Sequence, residues 1–129
     1  MTTSLTIHIG TEAALDRAGA YQLKIDMTKI ATHGCSYAGK MSLFAGAFDE
    51  RIALTIVEES GGGGIDAGRA SADFTKRTGV SVEKIDSTNY AWFMSSMKSL
   101  APYKLPHDHH ELIAMIAPRA TTILAMDKP

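Results

Sequence analysis

The chain is 129 residues long, with 45% hydrophobic, 21% charged and 7% aromatic content, an ordinary globular composition that excludes disordered and collagen-like architectures and leaves room for one domain. Thirteen Lys and Arg against fourteen Asp and Glu give a net charge of −1 with no basic block, so a surface for nucleic acid is not expected. The single cysteine, Cys35, excludes an internal disulfide framework and a Cys-rich zinc site. The longest apolar runs, Ile52–Val57 and Leu112–Ala117, fall far short of the ~18 residues of a membrane span, so no membrane partner is expected either. Residues 1–20 carry Glu12 and Asp16 and no compact apolar stretch, which argues against a signal peptide and leaves the compartment open.

In chain order, Leu5, Ile7 and Ile9 alternate with polar residues like a short edge strand. Gly10-Thr11-Glu12 then predicts a weak helix through Ala13, Ala14, Leu15 and Ala18, cut at Gly19. Asp26-Met27-Thr28 predicts a turn, Lys29–His33 a short strand ending at Gly34, and residues 39–48 a helix with Leu43, Phe44, Ala47 and Phe48 on one face. Ile52–Val57 is continuously apolar and largely β-branched, the mark of a strand covered on both sides, as in parallel sheets. Gly61–Gly64 predicts a loose, flexible loop. Residues 65–106 are polar and irregular with one short helix expected around Ala91–Leu100. Glu111–Ala117 reads as a helix stopped by Pro118, and Thr121–Met126 as another buried strand.

Strands alternating with helices predict an α/β fold with parallel pairing. Three clear strands and one doubtful one are few beside the ~5–6 of an average sheet, and interior strands need neighbours on both sides. The chain therefore has the look of the second half of a larger sheet. Open sheet edges make self-association with another copy an expectation.

Chemistry concentrates at Gly34-Cys35-Ser36-Tyr37-Ala38-Gly39, between a strand and a helix. That context suits a nucleophile elbow, where the chain reverses sharply, the central side chain projects from the sheet edge, and the residues two before and two after it must be small. Gly34 and Ala38 meet that need, and the helix N–H groups that follow can stabilise an oxyanion. The plainer alternative is a strand-to-helix loop in which Ser36 caps the helix, which on spacing alone is the commoner role. A second signal favours the elbow: the next strand ends in Glu58-Glu59-Ser60-Gly61, and parallel strands bring Glu59 to the same carboxyl edge, where a triad acid belongs.

Residues Asp26–Gly64 resemble the glucuronoyl esterases, a carbohydrate-esterase family of α/β-hydrolase fold. The family elbow has the form Gly-Cys-Ser-Arg-Asn-Gly-Lys, followed by Ala-Gly-Ala and Asp-Arg-Ile-Ala-Leu-Thr-Ile-Pro-Gln-Glu-Ser-Gly. Here Gly34-Cys35-Ser36-Tyr37-Ala38-Gly39-Lys40 is followed by Ala45-Gly46-Ala47 and by Arg51-Ile52-Ala53-Leu54-Thr55-Ile56-Val57-Glu58-Glu59-Ser60-Gly61. Further on, Leu105-Pro106-His107-Asp108-His109-His110 and Ala117-Pro118-Arg119 resemble the family's Leu-Pro-x-Asp-His-His segment and its Ala-Pro-Arg before a strand.

The resemblance implies that residues 25–129 are a partial α/β-hydrolase domain, the carboxyl-side strands and helices of a parallel three-layer sandwich, after a leader of residues 1–24 that it leaves unassigned. It implies a serine carboxylic-ester hydrolase that cleaves the ester between 4-O-methyl-D-glucuronate of xylan and a lignin alcohol, with no metal or organic cofactor. Ser36 is then the nucleophile, Glu59 the triad acid, and Lys40 the lysine that holds the sugar hydroxyls. Otherwise Lys40 is a solvated residue of the first helical turn. Glu83 falls where the family places a sugar-contacting Gln, and Trp92 matches a Trp-Phe pair that packs rather than binds. Family members are usually secreted.

Departures from the family pattern concern the same region. Its Arg after the nucleophile, a cationic aid to the oxyanion, is Tyr37, and its Pro-Gln before the acid is Val57-Glu58. Its Cys-Trp-Arg after the glycine run is replaced within Ile65-Asp66-Ala67-Gly68-Arg69. The family's base histidine follows the strand after Ala-Pro-Arg, a position that none of His8, His33, His107, His109 and His110 occupies. A catalytically silent truncated homologue is accordingly the alternative. His107-Asp108-His109-His110 carries metal-ligand chemistry, yet adjacent residues seldom converge on one ion, and Asp108 capping the following helix is the expected use. Gly61–Gly64 lacks the Lys-Ser/Thr of a phosphate loop. Cys35 is expected to point into the fold as a small buried residue.

Overall fold

The computed structural model describes residues 5–15, 21–80, 83, 93–99 and 101–125. Four strands form one sheet in the order β1 (Leu5–Leu15), β2 (Tyr21–Cys35), β3 (Ile52–Glu58), β4 (Ala120–Leu124). β1 runs antiparallel to β2, while β2, β3 and β4 are parallel, joined through helices α1 (Tyr37–Phe48), α2 (Gly68–Thr78) and α3 (His110–Ile116). The α/β class and the parallel pairing are those expected.

The N-terminal expectation is half corrected. No helix begins at Gly10; the strand continues to Leu15, paired from Gly10↔Asp26 to Leu15↔Tyr21. Its N–H and C=O groups find partners along β2, and tertiary pairing overrides a weak helical preference. Ala18 and Gly19 lie outside the described residues. The turn at Asp26-Met27-Thr28 is present but sits inside β2. Pairing jumps from Ile9↔Ile30 to Gly10↔Asp26, and the Asp26 carboxylate accepts bonds from the Thr28 N–H (2.9 Å) and hydroxyl (2.6 Å).

α1 lies on the β2–β3 face through its smallest residues. A Cβ at Gly46 would run into the Thr55 side chain, and one at Gly39 into the Glu58 carbonyl. The Ser42 hydroxyl bridges the Ile56 carbonyl (2.9 Å) and the Thr32 hydroxyl (3.0 Å). Leu43, Ala47, Val57 and Ile116 make the core, with Ile65, Leu112 and Ile113 packed against it. Of the four residues expected on the buried face, Leu43 and Ala47 are buried and Phe44 partly so, but Phe48 is 67% exposed and stacks on Phe44. Close backbone approach leaves no room for an aromatic ring beneath the helix, so Phe48 lies beyond the contact.

Strand pleating sends Thr32, Thr55 and Val57 toward α1, and therefore His33, Cys35, Ile56 and Glu58 to the other face. No described helix packs there, which corrects the expectation for Cys35: it is exposed. β3 is likewise fully buried only on the α1 side.

α2 is the element that the sequence reading omits. Its start has no cap from its own neighbours. The Asp108 carboxylate, 40 residues away, accepts bonds from the N–H groups of Gly68 (2.7 Å) and Arg69 (3.1 Å) instead. Its end does carry a local signal, Lys76 and Arg77 before Gly79 in the left-handed region (φ 73°). Around the expected helix at residues 91–100, the described part is a short 3-10 helix over Ser95–Ser99. Trp92 lies outside the described residues.

Candidate active site at the carboxyl rim of the sheet

Parallel register sets Cys35 beside Glu58, so the residues that follow each, Ser36 and Glu59, leave the sheet side by side at one rim. These two are the only non-glycine residues with positive φ among the described residues, at 58° and 44°. Neither has a side chain that suits this region, and such strain persists only where the surroundings hold it. The Ser36 N–H donates to the Glu58 carbonyl (3.0 Å), and the Glu59 N–H donates to the Leu124 carbonyl (2.9 Å). A Cβ at Gly34 would collide with the Ala38 backbone, which accounts for the small residues flanking Ser36.

Ser36 occupies the N-cap position of α1, yet its side chain makes no capping bond. Ser36 is exposed at the rim, immediately before the first N–H groups of the helix. That placement removes the plainer capping role and fits an elbow in which helix N–H groups face a developing oxyanion. Tyr37 lines a cleft of about 350 Å³ with Lys40, Met41, Phe44, Phe93 and Met94.

Lys40 is not a solvated residue; it is 3% exposed. Its ammonium donates to the Ser60 carbonyl and lies 3.6 Å from Glu83 Oε2. Burial lowers its pKa from the ordinary lysine value, while the negative charges of Glu83 and Asp66 work the other way. Glu83 also accepts the Gly62 N–H at 3.0 Å. The two expected sugar-side residues are thus brought together.

The glycine run corrects the expectation of a loose loop. Gly62–Gly64 are buried. Gly64 N–H bonds Gly61 (2.8 Å), Ile65 N–H bonds the buried Ser60 hydroxyl (3.0 Å), and the Gly64 carbonyl meets His109 Nδ1 (3.2 Å). Gly61 and Gly63 have φ of 50° and 80° where Glu83 and Phe93 press close, so glycine serves tight packing rather than slack.

Sequence reasoning did not single out Asp66, although it lies in the segment flagged as a departure. Its carboxyl pKa is raised by burial first, then by the charges of Glu83 and Glu59, against the pull of Lys40. His33, the last residue of the strand read from the sequence, pairs through Nε2 with Glu58 Oε2 at 3.1 Å on the open face.

The remaining histidines have structural surroundings. His107 meets Glu111 (3.0 Å), His109 packs edge-on against Phe44, and His110 lies 3.9 Å from Asp108. The expected cap of the following helix is corrected: the N-cap of α3 is His109, without a side-chain capping bond, and the Asp108 carboxylate bonds the His109 N–H (2.9 Å) and caps α2 instead. No group of three or more His, Cys, Asp or Glu able to hold a metal ion occurs among the described residues. Arg119 donates to the carbonyls of Asp49 and Ile52 (2.9 Å each), pinning the start of β3.

A strained serine between strand and helix, beside an acidic residue closing the adjacent parallel strand, defines a partial α/β-hydrolase. Residues 10–128 match the family model described as "Glucuronyl esterase, fungi", and the chain belongs to the glucuronoyl esterase family. It is 40% identical over 105 residues to the 4-O-methyl-glucuronoyl methylesterase of Hypocrea jecorina, covering 78% of this chain and 23% of that protein. Among solved structures, the glucuronoyl esterase catalytic domain from Hypocrea jecorina matches with a TM-score of 0.71 at 39% identity, over 81% of this chain and 30% of that one. A mutant glucuronoyl esterase from Sporotrichum thermophile in complex with methyl 4-O-methyl-β-D-glucopyranuronate gives 0.66 at 34% identity, over 76% and 27%. The chain spans about a quarter of the length of the curated relatives it matches.

Proposed function

We propose that this chain carries the nucleophile and acid of a serine carboxylic-ester hydrolase that cleaves the ester joining 4-O-methyl-D-glucuronate of xylan to a lignin alcohol. The observation that carries this is the pairing of the two positive-φ residues, Ser36 and Glu59, at one rim. In this mechanism Ser36 Oγ attacks the ester carbonyl as an imidazole base takes its proton. The base then passes the proton to the departing alcohol, leaving an acyl-enzyme that water hydrolyses. Glu59 orients the imidazole, and Lys40 with Glu83 holds the sugar hydroxyls. Tyr37 gives the oxyanion region a neutral phenol in place of the family's Arg, a change worth about 2–4 kcal/mol of transition-state stabilisation unless another donor replaces it.

The base in this family comes after the strand that follows Ala-Pro-Arg, which corresponds to β4. The surroundings of His33, His107, His109 and His110 favour a second reading for the isolated chain, that of a catalytically silent homologue. Two experiments separate these readings. A fluorophosphonate probe should label this chain weakly or not at all; strong labelling abolished by Ser36→Ala means that the site is complete without further sequence. Residues 25–126 grafted over the matching stretch of a full-length relative should hydrolyse a benzyl glucuronate ester, with loss on Ser36→Ala and Glu59→Ala. A folded chimera without activity refutes the esterase proposal.

A further inference from the structure

The outward stripe of α1 is apolar where a solvated helix face would be polar. Tyr37, Met41, Phe44 and Phe48 follow one another at three- and four-residue spacing, and Met41 and Phe48 are exposed. Two clefts meet on this stripe, with Phe44 in the wall of both. One, of about 350 Å³, begins at Tyr37 beside the nucleophile and has Met41 and Met94 in its walls. The other, of about 510 Å³, opens between α1 and α3 and is lined by Met97, Leu105, Leu112 and Met115. Of the described methionines, only Met27 lies outside these two clefts.

Phe44 is held at the junction by two other rings. It stacks on Phe48 with centroids 6.2 Å apart and meets His109 edge-on at 5.7 Å. The polar groups around the larger cleft are already engaged. His107 bonds Glu111 (3.0 Å), Asp108 takes the N–H groups of Gly68 and Arg69, and His109 Nδ1 meets the Gly64 carbonyl. What remains for a ligand is carbon and sulfur. Sugar hydroxyls would leave water there without gaining partners. Aromatic rings need none, and the polarisable, adaptable thioether of methionine makes favourable contacts with them. Both volumes lie in the range of small-molecule clefts, ~300–1,000 Å³, and an amphipathic helix ~10–12 Å across is larger than either.

We propose that the cleft between α1 and α3 is a second aromatic-binding site, in which Phe44, Met97, Leu112 and Met115 hold an aromatic unit one ring beyond the alcohol attached to the scissile ester. This rests on the esterase reading given above, which makes the alcohol end of the substrate aromatic. The occupant follows from continuity: the smaller cleft starts at the residue after Ser36, and Phe44 joins it to the larger one. An alcohol with a single ring fills only the first, whereas an ester on a chain of linked rings reaches both. Met97 and Met115 then act on substrate selection and touch no reacting atom.

Binding by the intact 129-residue chain, labelled with ¹³C in its methionine methyl groups, tests this. The ligands are benzyl glucuronate, with one ring, 4-benzyloxybenzyl glucuronate, with two, and the free two-ring alcohol. The two-ring ester should bind at least about fivefold more tightly than the one-ring ester. It alone of the two esters should shift the Met97 and Met115 methyl signals. Met115→Gln and Met97→Gln, which also assign those signals, should each cut the preference to about twofold or less while one-ring affinity stays within about twofold. The same spectra report folding of each variant. Equal affinities for the two esters, or a preference unchanged by both variants, overturn the second aromatic site and leave the uronate site standing. Free alcohol bound as tightly as its glucuronate ester, with the same methyl shifts, upholds the aromatic site and removes the uronate reading. Met97 and Met115 signals that move with protein concentration alone place a second copy in the cleft and overturn the proposal. Binding of no ligand overturns both.

Discussion

At the scale of single residues, the pairing of Gly46 with Thr55 shows how closely α1 approaches the sheet. Thr55 is fully buried, and its hydroxyl has no hydrogen-bond partner among the described residues. Its side chain fills the space that a Cβ on Gly46 would need. Gly46→Ala gains about 1 kcal/mol of helix propensity but forces overpacking that costs about 1–3 kcal/mol, so a net loss is expected. Trimming the partner should return most of it. In urea denaturation, Gly46→Ala should destabilise more in the wild-type background than beside Thr55→Ala, with a coupling of about 1 kcal/mol or more. Independent, additive effects would show that the helix has room to shift. The glycine of Ala45-Gly46-Ala47 stands out in the sequence, but not what it faces, because contact between Gly46 and Thr55 depends on how the helix is seated.

Among the elements, α2 depends on a residue far along the chain. Its buried cap, Asp108, feels two opposed effects: burial favours the neutral acid, while N–H donors from Arg69, Gly68 and His109 outweigh it and leave the pKa below the ordinary carboxylate value. A carboxyl depressed on folding adds stability that is complete above its unfolded value, near ~4, and lost as pH falls through the lower folded value. Asp108→Ala should cost about 1–3 kcal/mol at pH 7 in urea denaturation, and the gap from wild type should shrink below about pH 4. A gap unchanged with pH would mean that the loss is one of packing. The polar run 68–78 buries no residue. No core-facing apolar stripe marks such a helix, since its stabilising partner is set by tertiary contact. β3, by contrast, is legible because a β-branched apolar run bounded by charged residues states both its type and its ends, whereas β2 is read only over Lys29–His33 and its start at Tyr21 is set by pairing with β1.

For the whole described assembly, the sheet is covered by α1 and α3 on one face, while the other carries His33, Cys35, Ile56 and Glu58. At the β4 edge Ile123 and Leu124 are 41% and 46% exposed. An apolar edge strand with unpaired backbone groups invites pairing with another chain. Sedimentation of the isolated chain should therefore show concentration-dependent association, reduced by Ile123→Lys. A strict monomer at about 100 µM, well within the range where weak interfaces form, would contradict this. Sequence by itself determined the α/β class, the parallel strands and the juxtaposition of Ser36 with Glu59, because these follow from local patterning and from the rule that parallel strands end at a common edge. Tertiary structure alone decided the burial of Lys40, the exposure of Cys35, the stiffness of Gly61–Gly64 and the nearness of Asp66 to Glu83. Those properties arise from desolvation and from contacts between residues distant in the chain, which no local pattern encodes.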